Sequence, residues 1–393
     1  MDNIPADAHT REVFYVGGEY VDDGVGNETV YGQVYVEHLV PVRNPPQKYP
    51  IVFIPGSSRT GIDFLTTPSI PTPDKTNAGN NPSPQSWSSH FLSLSHELYL
   101  IDPPFRGRSP WHPPTHLSSP PTSSSSPYLT FGAAPLRKAW TTPPSSTQWP
   151  DDDPSSPAGK GSPAFDHVMK STHPQLAHLA EEQAVAQKSL AVLLDKINKP
   201  IILLAHSMGC KIAWLLADAR PKLVRAIIAV EPAGPAFQMR GMGGLRKELT
   251  AFGLTEARLG FEPEVGPNGE GLRRRLVKPK EGEPGLLECW LQGGDDDDDE
   301  EEEEEEKGVR RLANLRGVEV LVVTGEGSPH RGYDWGTVEF LRQAGVEEVE
   351  HLVLRGEGVM KGRGGGGNGH MMMLERNRGG IGEILGEWVR GRG

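Results

Sequence analysis

The chain has 393 residues, enough for one large domain or two ordinary ones with a sizeable core. Its formal charge of −12 has a single origin: residues 295–306 are twelve consecutive acids, and without them 40 acids face 40 Lys plus Arg. That near-neutral remainder argues against nucleic acid and against an anionic membrane surface as partners.

Two cysteines, Cys210 and Cys289, do not make a disulfide framework, and Cys210 is expected as a buried thiol. The first thirty residues are polar and charged and lack the apolar stretch of a signal peptide. No run of about 18 apolar residues occurs that could span a membrane. The expected address is the cytoplasm, with secretion admitted only if the chain starts earlier than assigned. The oligomeric state is not readable.

The elements open with strands over Arg11–Val16 and Thr29–Val42, separated by turn-rich residues 21–27. Pro50–Ile54 is a short continuous apolar run ending in Pro55-Gly56, which marks a strand buried on both faces. A helix is predicted over Ser86–Leu94 and another buried strand over Glu97–Ile101. Residues 103–163 are rich in Pro and Ser and too poor in apolar residues to pack alone, so a surface excursion overhanging the site is expected. Pro174–Asn198 reads as one long amphipathic helix, followed at once by a strand over Pro200–Ala205 and a helix over Cys210–Ala219.

Later strands are predicted at Val224–Val230, Val318–Thr324 and Val349–Leu354, with helices over Gly336–Ala344 and Met371–Val389. Residues 233–294 are expected to form a lid-like insertion, and residues 295–307 a solvated acidic run. Strands alternating with helices predict one α/β domain over 1–393, with a doubly wound, mostly parallel sheet and an N-terminal antiparallel strand pair.

The chemistry centres on Ala205-His-Ser-Met-Gly209, at the junction of a buried strand and a helix. A small-x-Ser-x-small pentapeptide there is a nucleophile elbow: the turn puts Ser207 in a strained conformation, and Ala205 and Gly209 leave room for it. A serine hydroxyl needs a histidine to take its proton and a carboxylate to orient that histidine. His370 is the favoured base, because it follows the last strand in the glycine-rich loop 362–369. His330, after the preceding strand, competes with it. His206, beside the serine, is expected to pack or hydrogen-bond beneath the turn.

For the acid, Glu231 and Glu326 each end a strand at the same sheet edge, and Asp334 is a further candidate. Oxyanion donors are expected at the backbone N–H groups of Met208 and Ser57. No metal and no organic cofactor is called for by this chemistry.

Several stretches together resemble an α/β-hydrolase carboxylesterase group of bacteria and filamentous fungi. They are Ile51–Gly61 with Thr66-Thr-Pro68, Tyr99–Asp102 leading to Arg106–Ser109, Ala205–Gly209, Val230–Pro235, Val323–Glu326 and Gly369–Glu375. The Glu-Pro-x-Gly-Pro and Gly-His-Met-Met-Met stretches are the most specific. The resemblance covers nearly all of the chain outside the low-complexity inserts. It implies an α/β-hydrolase fold and a triad of Ser207, Glu231 and His370, with the acid after the sixth strand of the sheet. Pro55 departs from the pattern, standing where many relatives carry the histidine of a His-Gly pair.

The expectation is a serine hydrolase that cleaves a small carboxylic ester through an acyl-enzyme. Two alternatives stand beside it: acyl transfer or lactone chemistry of the kind found in fungal secondary metabolism, and a non-catalytic relative that binds ligand.

Overall fold

A computed structural model describes residues 4–23, 26–66, 86–110, 128–151, 159–241, 244–245, 250–279, 285–293 and 308–392. The acidic run 295–306, the serine run 123–126, Asp152, Asp153, Thr67 and Pro68 lie outside them.

Eight strands form the central sheet: β1 (His9–Val16), β2 (Val34–Pro41), β3 (Ile51–Ile54), β4 (Leu98–Asp102), β5 (Ile201–His206), β6 (Val224–Val230), β7 (Glu319–Gly325) and β8 (Val349–Leu354). Their spatial order is β1-β2-β4-β3-β5-β6-β7-β8. β2 pairs antiparallel with β1 and with β4, and from β4 to β8 every pairing is parallel. The mostly parallel sheet with an N-terminal antiparallel pair is as expected from the alternation of elements. A small hairpin, Glu19–Asp22 with Glu28–Tyr31, sits between β1 and β2. Gly32 at φ 82° interrupts what the sequence reads as one strand over Thr29–Val42.

The sheet is buried on both faces, and the period of two in β5 shows how. Ile201, Leu203 and Ala205 join one core cluster, while Ile202 and Leu204 join the other. The first cluster packs against α2 (Leu179–Ile197), α3 (Gly209–Ala219) and α4 (Asp334–Gln343); the second packs against α1 (Trp87–Ser93) and α5 (Arg378–Arg390). Burying a Leu, Ile or Phe side chain in this way contributes roughly 1.5–3 kcal/mol.

Three expectations fail locally. The long helix predicted from Pro174 starts only at Leu179, because Gln175–Leu176 pairs as a short strand with Tyr128–Leu129. The helix predicted from Met371 breaks in two, a 3-10 turn at Met372–Leu374 and α5 from Arg378. The carboxylate of Glu375 turns back there to accept from the Gly369 N–H (2.7 Å) and the Asn368 amide (2.6 Å). Finally, residues 128–151 are not a surface excursion: Leu136, Trp140 and Trp149 are buried in the second core cluster. Isolated tryptophans anchor this stretch, so no periodic pattern announced it.

β3 has β4 on one side and β5 on the other. The carboxyl ends of strands around such a reversal of winding open a crevice, the usual ligand position in an open α/β sheet.

Candidate active site

Ser207 stands directly beyond β5, with φ at 53°. Its N–H donates to Val230 O (2.9 Å), and its carbonyl accepts from Cys210 N (3.0 Å) and Ala233 N (3.1 Å). The turn is therefore bonded on one side to β6 and on the other to α3. A left-handed conformation costs a non-glycine residue about 1–2 kcal/mol, and these bonds hold it. Close approach fixes both neighbouring glycines: a Cβ on Gly209 would lie 2.6 Å from the Ile54 and Pro55 carbonyls, and one on Gly56 would lie 3.0 Å from Ser207 Cβ.

Glu231 also lies just past its strand, β6, at φ 49°, and it is fully buried. Its Oε1 accepts from the Gly325 N–H (2.7 Å), while Oε2 takes the Ser328 hydroxyl and lies 3.2 Å from His370 Nδ1. That leaves Nε2 of His370 without a protein partner among the described residues. His370 and Ser207 line the same cavity, of about 590 Å³. Burial, and then the neighbouring His330, hold the His370 imidazole well below its ordinary pKa. A neutral ring with one free nitrogen can accept a proton.

Glu326 takes a different place. Its Oε2 accepts from the Gly356 N–H (3.2 Å), and no bond or ion pair joins it to a histidine among the described residues. Asp334 bonds instead to His330 Nδ1 (3.2 Å) and to the Thr324 hydroxyl (2.7 Å). His206 is buried beneath the turn, with Nε2 2.9 Å from the His370 carbonyl oxygen, in keeping with the packing role expected of it.

His330 belongs to the cluster as well. It stacks on His370 at 4.8 Å between ring centroids, and its Nε2 is 3.8 Å from Glu231 Oε2. Burial alone would lower its pKa, but the carboxylates of Glu231 and Asp334 outweigh burial and raise it. Glu231 itself is raised by burial, against the opposing pull of His330, Ser328 and Gly325.

Glu231, His330 and His370 bring ligand atoms within 4.8 Å of one another, a spacing that could also suit a cation. Hydrogen bonds already engage both Glu231 oxygens and one nitrogen of each histidine. The chemistry of the donor set therefore fits a hydrogen-bonded cluster better than a metal centre.

Ser57 and Met208 line the cavity beside Ser207, and neither backbone N–H has an acceptor among the described residues. Met208 caps α3, where helix N–H groups are left free and carry partial positive charge. The loop carrying Ser57 is held from outside. Gln175 Oε1 accepts from the Ser58 N–H (2.8 Å) and the Ser57 hydroxyl (2.5 Å), and Arg106 Nη1 donates to the Gly56 carbonyl (2.6 Å). Sequence reasoning missed Gln175, because apolar spacing made it part of a helix. It saw His330 only as a rival of His370, and gave Arg106 no part beyond the motif.

An elbow serine, an imidazole bonded to a buried carboxylate and free N–H groups around one cavity are the parts of an α/β hydrolase. The model of the α/β-hydrolase fold family matches residues 77–252. A fungal protein (Fungal sp., strain ATCC 74256) named as the probable secreted lipase phiG is 33% identical over 98% of this chain and 91% of its own length. The chain belongs to the α/β-hydrolase fold family. Among solved structures, a novel bacterial esterase shares the fold with a TM-score of 0.60 at 18% identity, over 98% of this chain and 96% of that one. The haloalkane dehalogenase DatA from Agrobacterium tumefaciens C58 aligns over 99% and 100% of the two chains, with a TM-score of only 0.42 at 11% identity.

Proposed function

We propose that the protein is a serine esterase that hydrolyses a small-molecule carboxylic ester through an acyl-enzyme. One observation carries this reading: the buried Glu231–His370 pair, 3.2 Å apart, leaves a free imidazole nitrogen on the cavity wall that Ser207 shares. The lipase and esterase among its relatives support the same class of bond.

In this mechanism Ser207 Oγ attacks the acyl carbon and His370 Nε2 takes its proton. The N–H groups of Ser57 and Met208 hold the oxyanion, and Glu231 orients and stabilises the imidazolium. His370 then protonates the departing alkoxide. Water attacks the acyl-enzyme with His370 again as base, and Ser207 recovers its proton as the carboxylic acid leaves.

A fluorophosphonate probe is expected to label Ser207, and p-nitrophenyl esters of graded chain length to be hydrolysed. Glu231→Gln should lower kcat by about 10⁴-fold, as wrong-tautomer variants of such triads do, and Glu326→Gln should leave most of it. Folded protein that neither reacts with the probe nor turns over an ester would overturn the reading. The reverse order of the two glutamate variants would move the acid role to Glu326.

The relative named as a secreted lipase gives no support to a cytoplasmic address, and secretion is proposed in its place. Finding the protein only inside host cells, with none in the medium, would reject that.

A further inference from the structure

The same cavity carries a charge that the ester mechanism leaves unused. Its wall is apolar over much of its extent, with Leu129, Phe131, Trp140 and Met239 among the lining side chains, and no carboxylate is among the described lining residues. Arg240 is the only permanently charged side chain among the described lining residues. Its Nε is buried without a hydrogen-bond partner, and no side-chain hydrogen bond or ion pair engages its guanidinium among the described residues. Among the described residues, the ring of Tyr333 lies nearest to steadying the head group, 5.8 Å from the guanidinium carbon.

Three other arginines drawn into this fold are answered by carboxylates: Arg59 by Asp63, Arg106 by Glu182, and Arg108 by Asp102 and Glu37, while the buried Arg378 donates to the Glu375 carbonyl. A partly buried guanidinium that no side chain answers must take its acceptors from water or from a ligand, and an anion in the cavity is the stronger acceptor. The position of Arg240 relative to the serine is also fixed by the backbone. Its N–H donates to Gly234 O (3.0 Å), and the adjoining Ala233 N–H donates to Ser207 O (3.1 Å). The same short segment therefore holds both groups in register.

We propose that Arg240 binds a carboxylate carried by the ester remote from its scissile bond, so that the preferred substrates are esters that also bear a free acid. The planar, five-donor guanidinium matches a carboxylate in a two-point contact, and the apolar wall accommodates the carbon chain between the acid and the ester. This inference rests on the esterase reading for its chemistry, but not for the binding of the anion.

Two substrate series test it at pH 7.5, where the free acid is ionised. One is monomethyl esters of straight-chain C4 to C8 diacids, each against the methyl alkanoate of equal length. The other is acetyl esters of ω-hydroxy acids against acetyl esters of the matching alcohols. A hydrogen bond to a charged group of about 1.5–3 kcal/mol corresponds to a preference of roughly ten- to a hundredfold in kcat/KM for the anionic ester in at least one series. Arg240→Gln should remove that preference and Arg240→Lys should restore part of it.

A binding measurement separates this inference from the reading beneath it. Calorimetry with Ser207→Ala and the monomethyl esters should detect binding, at least about tenfold weaker in Ser207→Ala/Arg240→Gln. Absence of anionic preference at every length in both series, with binding unaffected by Arg240→Gln, would overturn the proposal while leaving an esterase. Anion binding that depends on Arg240 in a protein that turns over no ester would keep the anion site and remove the esterase reading.

Discussion

Glu231 lies against two imidazoles at once, and on the esterase reading their unequal placement leaves His370 as the base. Oε2 lies 3.2 Å from His370 Nδ1 and 3.8 Å from His330 Nε2, and His330 has Asp334 on its other nitrogen. A proton entering the cluster is therefore better held on His330, between two carboxylates, than on His370, which has one. The cation on His330 in turn disfavours a second charge on the ring stacked against it. Burial first, and then that cation, keep His370 neutral below the ordinary histidine pKa of 6.5.

On the esterase reading the base must be neutral, so kcat/KM should stay on its plateau as pH falls past 6.5 and drop only at the lowered pKa. Replacing the cation, His330→Gln, should move that acid limb to higher pH, toward 6.5. A pH–rate profile on any turned-over ester reads this out. An acid limb that stays put, or moves down, would mean that the stacking at 4.8 Å has no electrostatic consequence.

At the scale of elements, the loop after β3 shows how an insertion can govern a site it does not enter by chemistry. Pairing of Gln175–Leu176 with Tyr128–Leu129 delays the start of α2 and puts the Gln175 amide oxygen against Ser57 and Ser58. The His173 N–H adds a bond to Ser58 O (3.0 Å) from the same segment. Arg106 completes the hold from the loop after β4, with its guanidinium paired to Glu182 of α2. Gln175→Leu keeps comparable volume but removes the acceptor of the Ser58 N–H. Small misplacements of an oxyanion donor can cost up to about a hundredfold in rate, so kcat should fall by roughly ten- to a hundredfold with the circular dichroism spectrum unchanged. Steady-state kinetics decide; an unaltered kcat would mean that Arg106 and the turn alone fix the loop.

Over the whole molecule, burial sets how stability responds to pH. Glu375 is fully buried and its pKa is pushed up to about 8 from an ordinary 4.5, by burial foremost, against the opposing bonds from Asn368 and Gly369. The folded protein then keeps a proton that the unfolded chain has lost. Its contribution to stability is complete below pH 4.5 and is lost as pH rises toward about 8, at up to about 1.4 kcal/mol per pH unit. His96 acts in the opposite direction: burial lowers its pKa to about 4, so stability is lost as pH falls from 6.5 toward that value. Urea unfolding of wild type and Glu375→Gln from pH 5 to 8 isolates the first effect. The variant should show the shallower decline, and parallel curves would refute the assignment.

The elbow pentapeptide, the buried strands and the α/β alternation were legible in the chain because each depends on residues a few positions apart: side-chain size at a turn, apolar runs, alternating periods. The two glutamates were not separable in that way. Both end a strand at the same sheet edge; the family resemblance favoured Glu231, and the structure adds the bonds of Glu231 to Gly325 and His370. The same holds for Gln175 against Ser58, 117 positions apart, for His330 stacked on His370, and for Trp140 and Trp149 sealing the second core from a Pro/Ser-rich stretch. Sequence alone determined most of the elements and which serine stands at the sharp turn after a buried strand, since backbone geometry and hydrophobic period act locally. Tertiary structure alone decided which distant side chains share a proton, which loops are held and where an unanswered charge faces the cavity, since those depend on contacts that exist only after the sheet has closed its neighbours together.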